Sequence, residues 1–110
     1  MSTDAADPRL ANITVAHAPA QYRYEIRDGD AVIGFTKYRK PDGTQRRVFV
    51  HTEVDPAYGG LGLAGRLVEF ALDDVAAAGE RIVPLCPYVA KYLRTHHQHD
   101  GIVDSPEAQQ

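Results

Sequence analysis

Three sets of residues in this 110-residue chain have the types and spacing to do chemistry. The first is the run Gly59-Gly60-Leu61-Gly62-Leu63-Ala64-Gly65, in which Gly60, Gly62 and Gly65 spell G-x-G-x-x-G. Such a run opening a helix presents free backbone N–H groups at the positive end of the helix dipole, an anion site suited to a pyrophosphate. The second set is His51 and Glu53, two residues apart in a β-like stretch and therefore on one side of a sheet. Such a pair can relieve a nucleophile of a proton. Imidazole titrates near neutral pH unaided, and a carboxylate can do so where its surroundings raise its proton affinity. The third is Cys86, the one cysteine, between Pro84 and Pro87. A thiol beside a helix N-terminus can serve as nucleophile or acyl acceptor, whereas a free cysteine is commonly a small buried apolar residue.

The elements needed to position these groups can be read from period and punctuation. "NITVAH" reads as a short strand, and "QYRYEIRD" alternates Tyr22, Tyr24 and Ile26 against Arg23, Glu25 and Arg27. Asp28-Gly29 makes a turn into a partner strand, "AVIGFTKYR", and "KPDGT" makes another into "QRRVFVHTEV". After the glycine run the period becomes helical: Ala64, Leu67, Val68, Ala71, Leu72, Val75 and Ala76 form one apolar face, with Gly79 as the stop. "RIVPLC" is a short buried strand, and Pro87 opens a second helix, "PYVAKYLRTHH". The order is ββββ, glycine loop, α, β, α. One domain of residues 1–110 is expected, with 1–11 and 104–110 frayed.

Context removes the two familiar nucleotide motifs. A dinucleotide fold needs a parallel βαβ unit with an acid about 20 residues on, but here the preceding strands are hairpin-linked and the next strand ends at Leu85-Cys86-Pro87. A phosphate-binding P-loop needs Lys and Ser/Thr where Arg66-Leu67 stand.

At these residues the chain resembles the GNAT superfamily of N-acetyltransferases. That superfamily carries Q/R-x-x-G-x-G/A at the start of its main helix, and the motif maps on Gly59 to Ala64, with Gly62 and Ala64 matching and Gly59 standing where Gln or Arg is usual. "HTEV" and "VPLCPYVAKYLRTH" resemble the small stand-alone GNAT-like acetyltransferases, over Ala11 to Val103. The resemblance implies an α+β fold, three-layer-like, with a mixed, mostly antiparallel sheet splayed between the strand ending at Val54 and the strand 81–85. It also implies acetyl-CoA as cofactor and an amine acceptor. The pyrophosphate would lie on Gly59 to Gly65, the pantetheine arm along the strand end at Val54, and the thioester near Cys86. Cys86 stands where many such enzymes have Asn, and Leu93 where they have the Tyr that protonates the departing thiolate. Tyr88 and Tyr92 are the candidates to replace that acid.

Bulk properties narrow the alternatives. A net charge of −3 disfavours nucleic acid. The basic residues Lys37, Arg39, Lys40, Arg46 and Arg47 read as a solvated hairpin. One cysteine, no signal peptide and no long apolar run lead to an expectation of a cytoplasmic protein without membrane partners. "HHQHD" (His96 to Asp100) lacks a zinc-like ligand set, so no metal is expected. The expected function is acetyl-CoA-dependent transfer to an amine of a small molecule or peptide. The alternatives are a coenzyme A-binding module without turnover and a protein-interaction domain.

Overall fold

Gly29, at φ +60°, closes the hairpin that joins β2 (Arg23–Asp28) to β3 (Ala31–Arg39). Only glycine takes that conformation without steric cost. The computed structural model describes residues 8–41 and 43–105. Within it β1 (Ile13–Ala18), β2, β3, β4 (Arg46–Val54) and β5 (Arg81–Pro84) form one sheet in that spatial order, antiparallel except for the last pair. Helix α1 (Leu63–Ala77) connects β4 to β5, and α2 (Pro87–Thr95) follows β5. No helix among the described residues is long and apolar enough to cross a membrane.

The α1 face matches the 3.6-residue period: Leu63, Leu67, Val68, Ala71, Leu72 and Val75 are buried. They join Val89, Tyr92 and Leu93 of α2 and Tyr24, Ile26, Tyr38 and Phe49 of the sheet in one core cluster. The α+β class and the mixed, mostly antiparallel sheet are as expected, and both helices share one core with the sheet. Both crossovers step the same way across the sheet, from β4 to β5 and from β5 to a parallel bridge between Ile82 and Val103. Crossovers of one hand then put both helices on one face.

Two register shifts set the faces of the central strands. Ile26 pairs with Gly34 but Arg27 with Val32, and Tyr38 pairs with Phe49 but Lys37 with His51. The second shift leaves Val50 as an extra residue in β4, a β-bulge that inverts the alternation beyond it. Strict alternation would put Phe49, His51 and Glu53 together. Instead Thr52 and Val54 continue the helix-covered face, and His51 and Glu53 turn to the other.

Several local expectations need correction. Tyr22 is not a strand residue: it takes a left-handed φ of +54° after the Pro19–Gln21 turn and is 53% exposed. Residues 8–10 form a 3-10 turn, and Asp104 is tied by Arg46 (3.1 Å) and Arg81 (2.9 Å), so these positions, expected to fray, are ordered. Residues 1–7 and 106–110 lie outside the described residues. Glu25 and Arg47, on strands read as half-polar, are buried.

Arg47 is part of no solvated hairpin. Its Nε donates to Glu80 (2.7 Å), and its Nη1 donates to the Tyr24 hydroxyl and lies 3.4 Å from Asp74. Tyr24 in turn donates to Asp74 (2.6 Å), and Lys40 bridges to the other Glu80 oxygen (2.7 Å). Burial alone would lower the proton affinity of Arg47, but its bond to Glu80 outweighs that and raises it. Burial would likewise raise the Glu80 carboxyl, yet Lys40 and Arg47 hold it low. His17 stacks on Tyr24 (4.2 Å) and bonds the Tyr38 hydroxyl (2.7 Å). Burial holds its imidazole below the usual value despite nearby Asp74.

Two outcomes are expected. Arg47→Ala leaves Glu80 without its buried cation and should cost about 3–5 kcal/mol in urea unfolding. An unchanged midpoint would remove the network's structural role. Because folded His17 resists protonation, the unfolded chain binds more protons below about pH 6.5, and stability should decline from there downward. His17→Gln should abolish that step in urea titrations run from pH 7.5 to 5. A later acid loss should remain, since Arg27 holds the Glu25 carboxyl low and Arg81 that of Asp104.

Candidate functional site

The pairing of β4 with β5 ends early. Phe49 and Pro84 are the last partners, and the Cys86 N–H then donates to the Phe49 carbonyl at 2.7 Å. From Val50 to Val54, β4 has no β5 partner, so the two strands separate there. The strand expected over 81–85 stops at Pro84, and Leu85 is 44% exposed.

Immediately beyond this opening lies the glycine turn. Asp55 caps the 3-10 turn Pro56–Tyr58 by accepting from the Ala57 N–H (2.9 Å), and the chain passes through Gly60 (φ +78°) and Gly62 (φ +74°) into α1. A groove of about 160 Å³ runs over this turn, and its walls include Val54, Gly59, Gly60, Gly62, Leu63, Ala64, Gly65 and Tyr88. Leu61 alone of the expected run turns away, packing against the core.

The groove fits an anionic cofactor by several independent marks. The helix N-cap is Gly62, which offers no side-chain acceptor, and the first turn contains no acid. The first backward bond is from the Arg66 N–H to the Gly62 carbonyl (3.1 Å), so the amides before it have no partner within the helix. A Cβ on Gly60 or Gly62 would meet no protein atom within 4 Å, so these glycines face open space rather than packed chain. At Gly59, where Gln or Arg was the usual residue, a Cβ would stand 3.2 Å from the Pro56 carbonyl. The tight turn thus favours glycine there. Beside the same turn the Arg9 Nη1 donates to the Ala57 carbonyl (3.3 Å).

The remaining candidates divide between two faces. Cys86 is the N-cap of α2 and only 2% exposed, its Sγ 3.3 Å from Thr52 Oγ1, which is 2.8 Å from Thr36 Oγ1. Sequence reading passed over Thr52 and Thr36, which gain meaning only as cross-strand partners beside the cysteine. His51 and Glu53 do meet, at 2.9 Å, but on the opposite face, with more than half of each side chain exposed. Tyr88 lines the glycine groove, and burial pushes its phenol up. Tyr92 is not part of that groove: it is 8% exposed and stacks on His96 at 3.9 Å. Burial, with Glu69 and Asp73 nearby, also raises it. The other histidines of "HHQHD" have separate partners, His97 with Asp100 (3.1 Å) and His99 with Asp73 (2.8 Å).

A mixed five-stranded sheet with two helices, parted beside a glycine-opened helix, defines a GNAT-type fold. The family description "GCN5-related N-acetyl-transferase" matches residues 23–102, and the chain belongs to that family. Among solved structures it is similar to a GCN5-like protein from Staphylococcus aureus determined by NMR. The TM-score is 0.66 at 16% identity, over 87% of this chain and 92% of that one. No curated protein matches the sequence.

Burial of Cys86 gives a direct expectation. Reaction with N-ethylmaleimide should be at least ~100-fold slower in the native protein than in urea, since it requires local opening. Equal rates would show that the thiol is accessible.

Proposed function

We propose that this protein transfers an acetyl group from acetyl-CoA to a primary amine. The observation that carries the reading is the uncapped α1 N-terminus, with Gly60 and Gly62 facing open space, next to the parting of β4 from β5. The amides of Leu63, Ala64 and Gly65 would hold the pyrophosphate, with Arg9 adding charge at the turn. Coenzyme A, when bound, supplies an acetyl thioester, an acyl donor for an uncharged amine.

The chain's own groups have distinct tasks in this reading. Tyr88 keeps its proton on Oη because burial raises it, which suits a donor to a departing thiolate. The His51–Glu53 pair takes the proton the amine gives up, the carboxylate supporting the charged imidazole. Cys86, buried and bonded to Thr52, shapes the wall of the opening. The second reading, a coenzyme A-binding module without turnover, is favoured by one observation: His51 and Glu53 lie across the sheet from Cys86.

Calorimetric titration with acetyl-CoA, with NAD as control, tests the proposal. Micromolar affinity for acetyl-CoA alone is expected, and Gly62→Asn, which tolerates positive φ but adds a side chain, should weaken it about tenfold or more. Absence of heat with acetyl-CoA would overturn it.

A further inference from the structure

The sheet face away from the helices carries a second, larger groove of about 490 Å³ that the cofactor reading leaves without a role. Its apolar floor is Val32, 46% exposed, and Phe35. Its charged walls are Arg23, Glu53 and Asp55. The Arg23 guanidinium is committed elsewhere: it bridges to buried Glu25 at 2.7 Å and lies over the Phe35 ring at 5.1 Å. Neither Glu53 nor Asp55 joins a Lys or Arg in an ion pair among the described residues. Asp55 and Pro56 line both this groove and the glycine groove, so the two cavities meet at the end of β4.

We infer that this groove binds the acceptor, and that it selects a primary alkylamine on an apolar stem with no anionic far end. The methylene stem covers Val32 and Phe35, and the ammonium lies against the Glu53 and Asp55 carboxylates, where the two cavities meet and where the His51–Glu53 pair can take its proton. An acceptor with an anionic far end would bring like charges together. The assignment rests on the acetyl-transfer reading for what happens next, but binding in the groove stands apart from it.

The test is an NMR titration of ¹⁵N-labelled protein with 1,5-diaminopentane, and in parallel with 5-aminopentanoate and Nα-acetyl-lysine methylamide. The diamine should shift amides of residues 32–35 and 53–55, and 5-aminopentanoate should leave them unmoved. The lysine derivative, compared with the diamine, tells a protein side chain from a free diamine as the source of the stem. Val32→Lys, at an exposed position, should weaken diamine binding about tenfold. No shifts, shifts outside the groove, or equal responses to the diamine and the aminopentanoate would overturn the inference. Diamine shifts in a protein that gives no heat with acetyl-CoA would retain this site while removing acetyl transfer. Heat with acetyl-CoA and no groove shifts would do the reverse.

Discussion

A buried guanidinium is the constraint on which the rest of this structure depends. Arg47 sits in β4 at 7% exposure, and its charge is tolerable there only with partners held in fixed directions. Those partners come from β2 (Tyr24), from α1 (Asp74) and from the connection into β5 (Glu80). The one side chain therefore ties the C-terminal half of α1 to the sheet. With that half held, the direction of α1 is set, and so is the place where its uncapped N-terminus emerges beside β4. The aromatic layer of His17, Tyr24, Tyr38 and Phe49 packs around the same point.

Toward the other end of β4 the controlling feature is backbone. The bulge at Val50 and the last bond to β5, from the Cys86 N–H to the Phe49 carbonyl, fall within two residues of each other. The bulge decides which side chains face the helices, and the lost pairing opens the sheet edge. Together they put Thr52 and Cys86 on one face of the parted strands and His51 and Glu53 on the other. The glycine groove and the His51–Glu53 pair thus lie on different sides of one strand, and Asp55 and Pro56 line both the glycine groove and the groove on the other face.

Much of the fold was legible in the sequence because it rests on local rules. Alternation marked β2, the turn at Asp28-Gly29 marked its partner β3, Gly79 marked a helix stop, and the α1 face followed from period alone. The glycine turn was legible as an uncapped helix opening because it is made by backbone and needs no partner from afar. Tyr22 misled because alternation cannot register that Pro19 starts a turn just before the strand. Arg47 misled because an arginine among other basic residues looks solvated until Glu80, 33 positions on, is brought against it.

Local order, helix faces and turns thus follow from short-range sterics and period, which every segment carries with it. The side of the sheet that each functional group occupies does not. One extra residue in β4 inverts that assignment, and nothing in the order Phe49-Val50-His51-Thr52-Glu53 announces a bulge. It exists because β3 pairs on both sides of it, at Lys37 and at Tyr38, in registers that differ by one residue. Only the folded sheet, where packing on one face must be satisfied along the whole strand, decides between the two registers.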